Sequence, residues 1–334
     1  MENNGTDDRV SSLSSEEIAL SRSVRFWLFL GFEIPSMACS LFILYHFIMD
    51  PILRHSLHHH TIMAMNICAF VIEIIDIPFQ LNFLLAGSVW PQISAYCLVW
   101  MFVGFGFYYT CCMLAAWASI ERHIFVFHDQ WLASRKGRLL AHYLPLVFII
   151  VYMSSFYIVG IFFPPCDNTF DYTSPMCGGV PCYSMHPIIG VYDAVVHGCL
   201  TTLIITVFSI GLLIRLVLQK RRRRQVMQWS KHRKLTVQLL SITSIFIIVN
   251  LPIAVMSVIY LLYLPVDIDV NVMLYCDFVG YWVILFLPFV CLHSLPDMKK
   301  RIKNTFYISR RHQAMVGVAS VLRTTNTALR RQDL

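Results

Sequence analysis

Residues 94–125 read SAYCLVWMFVGFGFYYTCCMLAAWASIERHIF, with no Asp, Glu, Lys or Arg before Glu121. An α-helix crosses the roughly 30 Å hydrocarbon core of a bilayer with about 20 mostly apolar residues, so this stretch is long enough to span. A barrel strand would need only about 9 to 11 residues. Working outward along the chain, the same reading finds seven such runs, at about 24–49, 61–85, 94–125, 139–163, 187–218, 235–262 and 270–293. Composition agrees, since 57% of the 334 residues are apolar and 13% charged, where soluble domains carry about 25% charged residues. Intrinsic disorder, collagen and a secreted disulfide mini-domain are excluded, because each needs low hydrophobicity, a glycine period or a short cysteine-dense chain. The expected fold is an all-α membrane protein, a bundle of seven transmembrane helices.

Lys and Arg set the orientation, because short positive loops stay in the cytoplasm. Of the 26 such residues, 23 fall on one side, at Arg54, Arg122, Arg135, Lys136 and Arg138, from Arg215 to Lys234, and from Lys299 onward. The three loops of the other side, near Gly87, Asp171 and Asp267, have none. This predicts an N-terminus outside, a C-terminus inside and a multi-pass protein of the plasma membrane. The expected parts are an extracellular head (1–23), a membrane domain (24–295) and a cytoplasmic amphipathic helix with basic tail (296–334). The head has no cationic region followed by a short apolar stretch and cleavage site, so the first span is expected to act as anchor. Asn4-Gly5-Thr6 is a glycosylation acceptor on the outer side. Beside the inner leaflet, Arg221 to Arg224 would attract anionic lipid at about 1 kcal/mol per residue. The plainer reading is a topology determinant, and that position argues against nucleic acid as partner.

Seven of the eleven cysteines, Cys39, Cys68, Cys111, Cys112, Cys199, Cys276 and Cys291, lie well within spans, where a small apolar packing role is the default, and Cys97 begins the third span on the outer side. The other four, Cys97, Cys166, Cys177 and Cys182, lie on the outer, oxidising side. They allow three full pairings, and Cys97 is expected to bond Cys177 or Cys182. Ionisable groups within spans default to functional hypotheses. Here they are Glu33, Glu73, Asp76, Asp193 and Asp277, with His197 as a possible structural partner. Together with Asp167, Asp171, Asp267 and Asp269 they would give an outer cavity a negative potential that favours cationic ligands such as basic or amidated peptides. Glu73, Asp76, Asp193, His197, Asp277 and Tyr281 are the ligand-pocket candidates.

Trp90 precedes Cys97 by seven residues and Arg122 follows it by twenty-five, with Glu121-Arg122-His123 closing the span. This spacing resembles the third helix of a rhodopsin-like G-protein-coupled receptor. The sixth run resembles the family motif at Phe246 and Pro252, with Val249 and Asn250 where the family has Cys and Trp. The seventh run matches at Pro288. The resemblance implies a receptor that passes an extracellular signal to a heterotrimeric G protein. Its coupling and activation residues would be Glu121, Arg122, His123, Phe246, Pro252 and Pro288, with Glu121 as the neighbour of Arg122.

The departures narrow the ligand. The family's sodium-site Asp falls near Ala69, and Thr201 stands at a fifth-helix Pro position. Gly104 occupies the place of the amine-binding Asp, and Tyr281 that of the retinal Lys. A light receptor or a standard amine receptor is therefore not expected.

Two rivals come from other classes. Acids within spans can line the pathway of a channel or transporter. His55-x-x-His58-His59-His60 with His123-x4-His128 resembles two boxes of the membrane di-iron desaturases, since imidazole clusters ligate iron. A second His-x-x-His-His box is missing, and His142 and His232 stand alone in the sequence. No catalytic residue, metal or cofactor is expected.

Overall fold

The computed structural model describes residues 20–127, 130, 134–222, 229–263 and 270–294. The described residues are helical, with 3-10 turns in one loop and no strand. Six helices are long and apolar enough to cross a membrane. We number them α1 (Arg22–Met49), α2 (His59–Ala86), α3 (Ser94–Phe125), α4 (Arg135–Phe162), α5 (Ile189–Arg215) and α6 (Leu239–Ile259). The seventh expected run is the helix α7 (Val270–Ser294), of which Phe278–Leu292 forms a shorter apolar stretch. The chain divides into two units, Met1–Cys291 and Leu292–Leu334. Most of the head, the tail and Asn4 lie outside the described residues, as do the side chains of Arg221 to Arg224 and of Asp277.

Local chemistry sets the helix ends. Ser21 caps α1 through the Val24 amide, and Ser134 caps α4 through the Gly137 amide at 2.9 Å, each satisfying a donor that a first turn leaves unpaired. Gly87 ends α2 at φ 76 and returns its amide to the Phe83 carbonyl at 2.8 Å; only glycine adopts that left-handed cap without strain. The capping explains why α4 begins about one turn before the apolar run at 139. Arg135, Lys136 and Arg138 are helical but polar, and a hydropathy reading stops short of them. The first connector also holds a short helix, Pro51–His55.

Four of the long helices contain a π-type segment: Ile72–Asp76 in α2, Phe102–Phe107 in α3, Leu139–Tyr143 in α4 and Asp193–Leu200 in α5. Such wider turns re-aim side chains and recur at functional sites. They contain Glu73, Asp76, Gly104, His142, Asp193 and His197.

Helices α2 and α3 take the interior, with 56% and 50% of their most apolar windows buried against 28% for α1, α4 and α6. Helix α3 packs against α2, α4, α5 and α6. Helix α7 meets α1 through Phe29, Tyr281 and Trp282. A core of Trp100, Met153, Tyr157, Met176, Cys177 and Tyr183 joins α3, α4 and the loop between α4 and α5. Outward faces carry Trp27, Leu85, Phe148, Leu203 and Ile248, all exposed. A water-facing surface would not hold so many large apolar side chains, whereas lipid would solvate them.

Candidate functional site

Two polar constellations sit at opposite ends of α3. At its beginning, Cys97 is bonded to Cys177, and a second disulfide joins Cys166 to Cys182. The first ties the α4–α5 loop to α3, and the second closes a shorter loop onto itself. Asp171 orders the segment between them. Its carboxylate accepts from the Thr173 amide and hydroxyl at 2.9 and 2.6 Å and from the Ser174 hydroxyl at 2.6 Å. The hydroxyls of Ser174 and Thr173 hold its pKa below the ordinary carboxylate value. Met176 and Cys177 follow at φ 50 and 59, a region that non-glycine residues seldom enter. That turn directs Met176 into a cavity of about 170 Å³.

Asp76, Gly104, Tyr108, Asn250 and Tyr281 share the lining of this cavity. Asp76 is 2% exposed, and its Oδ1 accepts from Trp100 Nε1 at 2.6 Å and from the Tyr281 hydroxyl at 2.9 Å. One carboxylate thereby joins α2, α3 and α7. A methyl group on Gly104 would stand 2.6 Å from Met176 Cε and 3.3 Å from Asp76 Oδ2, so this position serves close packing. Asn250 accepts from the Tyr108 hydroxyl at 3.1 Å and donates to the Phe246 carbonyl at 3.0 Å. It therefore bridges α3 and α6 two residues before Pro252, whose missing amide already interrupts the ladder.

The other acids lie elsewhere. Asp193 accepts from the Tyr157 and Tyr183 hydroxyls at 2.9 and 3.0 Å, and pairs with His197 Nδ1 at 2.6 Å. His197 Nε2 meets the Tyr152 hydroxyl at 2.8 Å. Burial and Asp193 push the Tyr183 phenol pKa up. These groups latch α4, α5 and their loop together, outside the cavity lining. Glu73 accepts from Ser36 Oγ at 2.6 Å, and the same hydroxyl donates to the Leu285 carbonyl at 2.9 Å. Glu33 is 3% exposed, with neither oxygen hydrogen-bonded among the described residues. Of the proposed pocket residues with described side chains, Asp76 and Tyr281 line the cavity; Glu73, Asp193 and His197 do not.

At the far end of α3, Glu121 and Arg122 are 2% and 3% exposed. Arg122 lies over the Phe125 ring at 5.9 Å. His123 Nε2 meets the Phe208 carbonyl on α5 at 2.8 Å. The hydrogen-bond partners of Glu121 come from other helices, Thr61 Oγ1 on α2 at 2.9 Å and His142 Nδ1 on α4. Phe246 is 1% exposed within α6, and Pro252 and Pro288 lie inside their helices.

The histidine-box residues are dispersed. His60 pairs with His142, and His123 with Phe208, while His128 and the side chain of His58 lie outside the described residues. Among the described residues no three His, Cys, Asp or Glu converge to hold a metal ion.

Sequence reasoning missed His142, Trp100, Tyr108 and the bridging role of Asn250. Asn250, a polar residue two before Pro252, and His142, an ionisable residue within an apolar run, were the available signals; Trp100 and Tyr108 are ordinary membrane-helix residues until their partners are placed. No protein family and no curated protein matches the chain in sequence.

Proposed function

We propose that the protein is a seven-helix receptor of the plasma membrane, N-terminus outside and C-terminus inside, signalling to a heterotrimeric G protein. The observation that carries this reading is the arrangement along α3. A disulfide-tied cavity stands at the Cys97 end, and the buried Glu121-Arg122-His123 triplet lies twenty-five residues further on, about 37 Å at 1.5 Å per residue. That distance exceeds the roughly 30 Å hydrocarbon core, so the two ends would face different compartments. Helix α7 would complete the bundle, and the asymmetry of Lys and Arg gives its direction.

A ligand shifts a two-state equilibrium only by its differential affinity for the two states. Asp76, Tyr281, Tyr108 and Asn250 join α2, α3, α6 and α7, so a group entering among them would act on four helices at once. The cavity of about 170 Å³ is smaller than the roughly 300 to 1,000 Å³ of drug-sized sites. It suits a compact ligand or a single side chain of a peptide whose remainder rests on the outer loop. Asp76 and the flanking rings favour a cationic group, by charge and by cation–π attraction. Pro252 supplies a hinge in α6, and Phe246 beneath it would repack as Arg122 turns toward the G protein. The basic segments would hold the inner face to anionic lipid.

Nucleotide exchange on purified G proteins tests the reading, with the protein in lipid nanodiscs, with and without pooled basic peptides. Exchange by the wild type and its loss in Arg122→Ala at equal reconstitution is the expected outcome. Exchange unchanged in Arg122→Ala would overturn the role of Arg122. No exchange with any G protein, together with stoichiometric iron in the same sample, would overturn the receptor reading in favour of a histidine-box enzyme.

A further inference from the structure

Three polar side chains share one face of α1: Glu33, Ser36 and Ser40, at steps of three and four residues. That face is turned inward, with all three residues buried. Across from it, the π-type segment Ile72–Asp76 of α2 carries Glu73, which is buried as well. Ser36 Oγ ties the two helices to α7, at 2.6 Å from Glu73 Oε1 and 2.9 Å from the Leu285 carbonyl. Ser40 stands beside Glu73, and the charges of Glu73 and Asp76 act on Glu33.

The junction is rich in acceptors and short of donors. Glu33 Oε1 and Oε2, Glu73 Oε2 and Ser40 Oγ make no hydrogen bond among the described residues, and neither glutamate is in a salt bridge there. Asp76, one turn further along α2, is instead held by Trp100 and Tyr281. A buried carboxylate with neither donors nor counter-ion is strongly unfavourable, and carboxylates inside a membrane protein mark ion sites. The atoms left over are all oxygens, a hard donor set unsuited to iron, copper or zinc. Calcium takes about six to eight oxygens and magnesium keeps several waters of its own. Two carboxylates and a hydroxyl, with no third acid converging on them among the described residues, fit a monovalent ion better than either.

We propose that Glu33, Glu73 and Ser40 form a binding site for a small alkali cation, of about sodium's size, at the junction of α1, α2 and α7. Glu33 and Glu73 Oε2 supply the charge and Ser40 Oγ a neutral oxygen. Ser36 is the positioning residue, holding Glu73 by its other oxygen and linking the site to the Leu285 carbonyl, three residues before Pro288. The site is separate from the cavity, which none of these four side chains lines.

The probe is sodium chloride, compared with potassium and N-methylglucamine chlorides at equal ionic strength, so that screening is constant. The full chain in detergent is melted at fixed pH, and a thiol-reactive dye reads the buried free cysteines. An ion that binds only the folded chain raises its stability with the logarithm of concentration above Kd. At about ten times Kd, sodium should raise the melting point by roughly 2 to 4 °C over N-methylglucamine. Potassium should raise it less. Glu33→Gln and Glu73→Gln should each abolish the sodium shift, while Asp171→Asn on the outer loop should retain it.

Equal melting of the wild type in sodium and N-methylglucamine would overturn the proposal and leave protons to neutralise the two acids. A sodium shift that persists in both glutamate variants would overturn it too, by placing the ion elsewhere. If those variants do not fold, Ser40→Ala carries the test: losing one oxygen should shrink the shift, and an unchanged shift would overturn the site. No readout uses ligand or G protein, so failure here is separate from failure of the signalling reading.

Discussion

Tyr281→Phe removes one hydroxyl and nothing else from the Asp76 hub. The hydroxyl donates to Asp76 Oδ1 at 2.9 Å, and the same oxygen accepts from Trp100 Nε1 at 2.6 Å. In water-soluble proteins, hydrogen bonds to charged groups contribute about 1.5 to 3 kcal/mol. In a bilayer the contribution is smaller, averaging about 0.6 kcal/mol with a maximum near 1.7, because the unfolded helices find other partners. Asp76 is 2% exposed and keeps one strong donor, which places the cost at about 1 to 1.5 kcal/mol. Cys68, Cys111, Cys112 and Cys291 are free and buried, so a thiol-reactive dye at fixed pH reports unfolding directly. At about 2 to 4 °C per kcal/mol for a chain of this size, the melting point should fall by roughly 2 to 6 °C. A double-mutant cycle with Asp76→Asn isolates the pair, since contacting groups are non-additive. Additive losses, or no loss in Tyr281→Phe, would refute the hub.

Asp76→Asn keeps an acceptor for Trp100 and Tyr281 while removing the charge, so a basic ligand should weaken more than a neutral one; equal losses in a binding assay would assign Asp76 a structural role only. Cys97→Ser opens a connection of 80 residues and Cys166→Ser one of 16; loop-closure entropy gives upper values of about 4.5 and 3 kcal/mol, and melting should rank them in that order. Gly190→Ala would drive a methyl group into the Ser184 backbone, whereas Gly31 has open space around it; folded yield should collapse for the first and hold for Gly31→Ala. The pKa of Asp171 is lowered from 3.8 by Ser174 and Thr173, so its contribution is present above that value and is lost as pH falls through the lower folded one. Asp171→Asn should flatten the acid limb of the melting profile below about pH 4, by a small amount because the group is exposed.

Hydropathy reached the helices because it is a property of contiguous residues. The run at 94–125 is α3 of the structure, and the other long helices begin and end within a few residues of their apolar runs. Where bounds moved, as at Arg135, a capping serine had extended a helix beyond its apolar part. Cys97 at the outer start of α3 and the three loop cysteines were legible as disulfide candidates; the sequence left Cys177 and Cys182 open as partners of Cys97, and the structure bonds Cys177. The acids were legible as unusual residues, but their roles were not. Asp76 and Asp193 look alike in sequence, yet one lines the cavity and the other is saturated by two tyrosines and a histidine.

His142 makes the same point at the other end of α3. In sequence it is an isolated histidine, twenty-one residues from Glu121, and the structure makes it that carboxylate's partner. The sequence by itself determined that the chain is helical and apolar enough to cross a membrane, because length and transfer free energy act on each segment alone. Only the tertiary structure decided which buried polar groups meet. A carboxylate in a low-dielectric interior is stabilised by donors brought from other helices, and packing, not spacing along the chain, supplies them.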